Sequence, residues 1–313
     1  MIKKPLISIV TPCFNEEDNI QYCIESVQLV METLKDNYEY EHIFSDNSST
    51  DNTKAEILNQ ISKNKNVKLI VNSHNVGPFL NNYNALKYVS GDYVLVFLPA
   101  DLQDPPEIIP LMLEKIQDTE IVLGVRKLRE ENLFLRLFRQ VFYRMNNLFT
   151  DSKIPIGAGE FMLITKKIKD IILNSSSDVP YIRGLVAKLN FKKSLVEYTW
   201  KKRKFGKTKN SFSNLVDQSI NAFILTAEKP LRYINYFSIL SFIFSFVFIL
   251  YNVVSYYMFG SQTVRGISLV IVLVLFFGSL ILLILGIIGE YILAINKKIN
   301  KSLELTVIEK HNI

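Results

Sequence analysis

The sequence predicts an α/β domain with a mostly parallel sheet, then amphipathic helices and two apolar spans. Three observations lead there. Up to about residue 125, strand-like and helix-like segments alternate, as βαβ units require. The ends of three strands run straight into acidic and amide side chains. Two long stretches near the end of the sequence carry no charge at all.

Strands are expected at 6–11, 40–45, 67–71, 93–98 and 120–125, and helices at 17–35, 51–62, 78–89 and 106–117. Right-handed crossovers then bring the ends of the first, second and fourth strands, at Thr11, Ser45 and Leu98, to one rim. Asn15 can cap the first helix, and Glu16, Glu17 and Asp18 complement its dipole. Residues 46–51, DNSSTD, read as an Asx-type turn with a cap for the second helix. Asp104 is expected to cap the fourth helix, with Pro105 and Pro106 in its first turn and Glu107 completing a capping box.

Beyond residue 129 the pattern changes. Leu133, Leu137, Val141, Met145 and Leu148 recur at helical spacing beside Phe134, Phe138 and Phe142, and Arg136, Arg139 and Arg144 interrupt the stripe. Such a basic amphipathic helix suits a membrane interface or a packed core face; the apolar spans that follow favour the interface. A second amphipathic stretch covers 212–225.

The chain has 313 residues, 49% hydrophobic, and its mean hydropathy is +0.17. The excess is concentrated in 233–264 and 266–289, which contain no charged residue. About 20 apolar residues cross the ~30 Å hydrocarbon core, so each run is read as a span. The net charge of +6 is clustered. Lys201, Lys202, Arg203, Lys204, Lys207 and Lys209 precede the first span, Lys297, Lys298 and Lys301 follow the second, and only Arg265 lies between. The positive-inside rule puts both termini in the cytosol. The expected organisation is a cytosolic α/β domain at 1–210, a juxtamembrane amphipathic helix at 211–232, a two-helix hairpin at 233–296 and a cytosolic basic tail at 297–313. The expectation is an integral membrane protein with its globular domain on the cytosolic face. Cys13 and Cys23 lie in that domain, where a disulfide is not expected. Nothing in this charge distribution calls for nucleic acid, and a homo-oligomer is compatible with two spans.

Three polar segments could carry chemistry. TPCFNEE (11–17) follows the first strand, with Phe14 placed so that its ring could lie against a base. SDNSSTDNT (45–53) follows the second, where Asp46 could accept N–H bonds from a nucleobase edge. LPADLQDPPE (98–107) follows the fourth and sets Asp101 and Gln103 as oxygen ligands ahead of a helix. Open α/β sheets bind ligands at this rim, and a hard cation on a diphosphate takes oxygen ligands.

In order and spacing these segments resemble the family-2 glycosyltransferases of the GT-A fold. Val122–Arg126 with Arg129, Gly159-Glu160-Phe161, Arg203 with Phe205–Lys209, and GIIGEY at 286–291 extend the likeness. With two apolar runs at the end, the whole is similar to polyprenyl-phosphate glycosyltransferases such as bactoprenol glucosyltransferases and dolichol-phosphate mannose synthases. The resemblance implies a nucleotide-sugar donor, UDP rather than GDP, a polyprenyl phosphate acceptor and inversion at the anomeric carbon. It implies that Pro12, Phe14, Glu16, Asp46 and Asp101 hold the nucleotide. Asp101 and Gln103 would bind Mg²⁺ or Mn²⁺. Arg126, Arg129, Arg203 and Lys207 would surround the diphosphate and the acceptor phosphate. Asp101, Glu160 and Arg126 form the implied catalytic set.

Three departures stand out. Pro99 falls where the family carries its first metal carboxylate, so a weakened metal site is expected. Ser45 replaces the first acid of the second motif, and Glu160 is one methylene longer than the family's Asp. Pro99 also leaves room for a non-catalytic protein that binds nucleotide or lipid. A glycan acceptor is a further alternative, although no Q-x-x-R-W motif accompanies it.

Overall fold

The structure, a computed structural model, describes residues 3–128, 155, 157–175, 181–205 and 307–313, with scattered helical positions between 240 and 295. In chain order these form β1 (Leu6–Cys13), α1 (Glu17–Glu32), β2 (Glu39–Asp46), α2 (Thr53–Ile61), β3 (Val67–Asn72), α3 (Pro78–Leu86) and β4 (Tyr93–Leu95). A short 3₁₀ turn (Pro106–Ile108) leads into α4 (Ile109–Ile116), β5 (Ile121–Leu128), β6 (Ala158–Thr165), α5 (Lys166–Asn174), α6 (Ile182–Lys188), β7 (Lys193–Thr199) and β8 (Val307–His311).

Alternate strand residues face opposite sides of a sheet, and here each side meets its own helices. Ile7, Ile9, Phe44, Leu69, Leu95, Phe161 and Leu163 pack with Ile20 and Cys23 of α1, Ile57 of α2 and Met112 of α4. Their neighbours Val10, Ile43, Ile70, Val94, Met162 and Ile164 pack with Leu86 of α3, Ile168 of α5 and Val186 of α6. The result is one sheet between two helical layers. α1 is seated by an apolar stripe, Ile20, Cys23, Ile24, Val27 and Met31, at helical spacing. His42 is buried in β2 beside Phe44, with ring centroids 4.3 Å apart, and its Nε2 lies 2.8 Å from Thr11 Oγ1.

The strand order is β7-β5-β6-β4-β1-β2-β3-β8. The first three strands run outward from β1 in parallel, and β4 returns to pair parallel with its other side. The winding therefore reverses between β1 and β4, which is where open α/β sheets bind ligands. Parallel pairing also joins β5 to β7. The sheet is mostly parallel, as expected, with β6 entering antiparallel between β4 and β5. β4 is shorter than expected, although Val96 still donates to Met162 O and Leu98 to Val10 O.

Within the stretch expected as a basic tail, β8 pairs antiparallel with the outer edge of β3. Lys54 Nζ reaches Glu309 Oε1 at 2.7 Å, and the Asn312 amide donates to the Lys65 and Val67 carbonyls. The expected helices at 130–150 and 212–225, with Arg129 and Lys207, lie outside the described residues. So do most of 233–264 and 266–289; the described positions in them are helical, and apolar side chains such as Val247, Tyr257 and Ile281 are exposed. Among the described residues, no helix is long and apolar enough to cross a membrane.

Candidate active site

The β1 and β2 ends are tied into one unit. Cys13 pairs in register with Asp46, and Asn47 N–H donates to Cys13 O at 2.9 Å. Asn15 N–H donates to Ser49 Oγ at 2.9 Å, and Glu16 N–H to Thr53 Oγ1 at 2.8 Å. Asn15 does not cap α1. It takes a left-handed φ of 53°, and its Oδ1 accepts the Thr50 N–H at 2.7 Å. Asp46 is buried and accepts from Ser49 N–H and Oγ–H. Burial pushes its pKa up, against the pull of those bonds. Pro12 and Phe14 are half-buried at the same rim.

At the end of β4 the chain turns sharply: Leu102 N–H donates to Pro99 O, and Leu102 has φ 51°. The turn presents Asp101, whose Oδ1 accepts the Gln103 N–H at 3.2 Å. Burial raises the Asp101 pKa, while the Gln103 N–H and the Arg203 charge pull it down.

Residues 201–205 cross this rim as a strap. Lys201 N–H donates to Gln103 O at 2.9 Å, and its ammonium pairs with Glu107 at 2.8 Å. Arg203 then pairs with Glu16 through Nη2 and lies 3.8 Å from Asp101 Oδ2 through Nη1. Lys204 Nζ sits 4.0 Å from the Tyr22 ring centroid on α1, and Phe205 meets the same ring edge-on at 6.0 Å. Arg203, Glu16 and Asp101 thus converge from three distant parts of the chain, with side chains 15%, 17% and 12% exposed.

Asp104 is not a helix cap. The residue before the 3₁₀ turn is Pro105, without a side-chain cap bond. Asp104 is fully buried and accepts from Arg126 Nε at 2.8 Å, Arg126 Nη2 at 2.7 Å and the Tyr198 hydroxyl at 2.6 Å. Arg126 also lies 5.9 Å from the Trp200 ring centroid. Gly159 lies beside this guanidinium: a Cβ there would stand 3.6 Å from Arg126 Nη2, an ordinary contact. A buried carboxylate finds a stronger partner in a guanidinium than in a helix end. That preference overrides the local capping pattern.

Glu160 lies beyond Gly159 on β6. Its Oε1 is buried with no hydrogen bond among the described residues, 3.9 Å from Arg183 Nε. Burial raises its pKa, with Arg183 opposing. Arg183 in turn donates to Tyr181 Oη at 2.7 Å and to Ala158 O at 2.9 Å. Sequence reasoning did not single out Arg183, Tyr198 or the Asp104–Arg126 pair; a charged residue inside the apolar stretch 181–187 was the one available cue for Arg183. Among the described residues no group of three or more His, Cys, Asp or Glu side chains converges to hold a metal ion. Two cavities lie away from this rim, one of about 760 Å³ beside Lys166 and Asn174 and one of about 390 Å³ beside Tyr93 and Thr165.

A sheet wound outward both ways from β1, with acids and arginines at the reversal, defines an α/β protein of the GT-A type. The glucosyl-3-phosphoglycerate synthase of Mycobacterium tuberculosis, solved with Mn²⁺, UDP-glucose and glycerol 3-phosphate, superposes with a TM-score of 0.52 at 17% identity, over 71% of this chain and 78% of that one. This likeness concerns the fold. The family model for glycosyl transferase family 2 matches residues 8–172, and this chain belongs to that family. It is 36% identical over 288 residues to an uncharacterized glycosyltransferase of Bacillus subtilis, YkcC, covering 91% of this chain and 88% of the relative. It is 28% identical over 289 residues to a prophage bactoprenol glucosyl transferase homolog of Escherichia coli, covering 91% and 93%. The bactoprenol glucosyl transferase of Shigella phage SfV is 29% identical, covering 91% and 92%.

Proposed function

We propose that this glycosyltransferase moves a sugar from a nucleoside diphosphate, UDP by preference, to a polyprenyl phosphate, with inversion. The convergence of Glu16, Asp101 and Arg203 at the reversal between β1 and β4 carries the donor half of this reading. The rim of β1 and β2, with Pro12, Phe14 and Asp46, offers the base a half-buried surface. Arg126 and Arg203 supply positive charge for phosphates, and Arg129 and Lys207 join them in the proposal.

The leaving diphosphate gains negative charge as the glycosidic bond breaks. Fixed arginines that meet this charge lower the barrier. The acceptor phosphate is already an anion at neutral pH, so alignment and desolvation matter more than proton abstraction. Glu160, whose Oε1 has no hydrogen bond among the described residues, is suited to take a sugar hydroxyl. The residues present fit a divalent ion shared with substrate rather than a closed cage: one carboxylate, Asp101, and one amide, Gln103, with Pro99 contributing no side-chain ligand. Mg²⁺ accepts such sparse protein ligation when phosphates and water complete its shell. When bound, the ion would neutralise part of the diphosphate charge.

The acceptor half rests on the bactoprenol relatives and on the uncharged runs 233–264 and 266–289, long enough to span a bilayer. In this proposal both termini face the cytosol and the site works at the inner leaflet, with homo-oligomers permitted. The test is incubation of membranes holding the protein with polyprenyl phosphate and a panel of labelled UDP- and GDP-sugars. Label extracted into the lipid phase supports the proposal. Label found only in free sugar, or none transferred from any donor, refutes it.

A further inference from the structure

We propose that Arg183 is a positioning residue for Glu160: its fixed charge stands beside the carboxylate without bonding Oε1, which leaves that oxygen anionic and open to a hydroxyl of the donor sugar. The proposal rests on the transferase reading above.

Placement is the first ground. β6 starts at the rim, where Ala158 pairs with Val125 near the end of β5. Glu160 follows two residues later, with its side chain 15% exposed. α6 packs on the same strand, since Ile182 and Val186 share an apolar cluster with Met162 and Ile164. The fold therefore holds Arg183 and Glu160 in one fixed relation.

The second ground is how the guanidinium spends its donors. Nε–H donates to the Tyr181 hydroxyl oxygen at 2.7 Å, Nη2–H donates to the same oxygen, and Nη1–H donates to Ala158 O at 2.9 Å. Tyr181 is buried and meets Phe79 edge-on, with ring centroids 5.2 Å apart. The guanidinium is thus kept 3.9 Å from Oε1, beyond hydrogen-bond reach. An opposite charge at that distance still favours the ionised carboxylate. A direct bond would have taken the lone pair that a sugar hydroxyl needs.

The third ground is the electrostatic setting. Burial raises the Glu160 pKa, and the Arg183 charge and backbone N–H oppose it. The charged groups on neighbouring elements are engaged elsewhere. On β5, Arg126 pairs with Asp104 and Lys127 with Glu197. Asp101, beyond β4, faces Arg203. On α5, Lys167 pairs with Glu120 and Lys169 with Asp170. Lys188 lies at the far end of α6, and α3 carries no charged residue.

The experiment follows Glu160 in the detergent-solubilised full chain by infrared titration of its protonated carboxyl band, assigned by the loss of that band in Glu160→Gln. In parallel, transfer of label to polyprenyl phosphate is measured against pH with the UDP- or GDP-sugar that the native protein uses. Arg183→Met should move the carboxyl midpoint and the acidic limb of transfer upward by about one to two pH units. Arg183→Lys, which keeps the charge, should move both by less. Tyr181→Phe frees the guanidinium to bond Oε1, so it should move the midpoint downward and raise the donor KM. That variant keeps the ring against Phe79 and carries the test if Arg183→Met does not fold. UDP affinity should stay within about twofold throughout, because the nucleotide is held elsewhere. Superposable Glu160 titrations for native and variant proteins, or a shift in the same direction for Tyr181→Phe and the Arg183 variants, overturn the proposal. A native protein that transfers from none of the labelled sugars overturns the transferase reading, whatever the infrared titration gives.

Discussion

Asp104→Asn removes one charge from the buried Asp104–Arg126–Tyr198 network and leaves its shape intact. The carboxylate is fully buried and takes three hydrogen bonds, two of them from the guanidinium. Arg126 is 19% exposed, so water cannot replace the lost partner fully. Breaking a buried ion pair from one side costs about 3–5 kcal/mol, and the residual exposure argues for about 3. At about 2–4 °C per kcal/mol for a domain of this size, the melting point should fall by roughly 6–12 °C. Trp200, the one tryptophan of the chain, stacks near Arg126, so intrinsic fluorescence reports this network directly. Arg126→Met should be destabilising for the converse reason, an unpaired buried carboxylate. The double variant should cost less than the two singles added, with a coupling of at least about 1 kcal/mol. An Asp104→Asn melting curve that superposes on the native one, or strictly additive singles, would sink the argument that this pair is mutually dependent.

Asp101→Asn should lower transfer by about two orders of magnitude while leaving the melting point within a degree or so, because only the rim charge changes; full activity in the membrane assay would remove Asp101 from the site. Glu160→Gln should lower transfer by roughly 10–100-fold with UDP binding intact, as expected for a group that holds the sugar rather than the nucleotide; calorimetry and turnover measured side by side separate the two effects. His42 is buried neutral, and its pKa is pushed down to about 3 from 6.5. The unfolded chain therefore binds a proton between those values that the folded chain refuses. Stability contributed by this group is complete above about pH 6.5 and is lost toward pH 3, at up to about 1.4 kcal/mol per unit. Replacing it by Gln should flatten that part of the stability–pH curve; superposable slopes for the two proteins would contradict the assignment.

The first half of the fold was readable because its information is local. β1, α1, β2, α2, β3 and α3 are apolar runs of strand or helix period separated by polar turns, and each begins close to its expected place. What lay hidden depends on distant partners. Within Ala158–Thr165 only the motif Gly159-Glu160-Phe161 was legible and not the strand, since nothing local says that AGEFMLIT must insert antiparallel beside β4. Asp104 followed every rule for a helix cap, yet Arg126, 22 positions later, holds it. Asp101, Glu16 and Arg203 were each identified by motif, but their mutual contact is a property of the strap, whose course after β7 leaves no periodic trace in the sequence.

β8 has a practical consequence. Anyone wishing to crystallise the globular portion would cut ahead of residue 233 and discard everything after it. That fragment would lack Val307–His311 and leave the outer side of β3 bare, an open invitation to β-aggregation. A better reagent would splice the last dozen residues back through a flexible glycine–serine tether, restoring the missing border strand without the two uncharged runs.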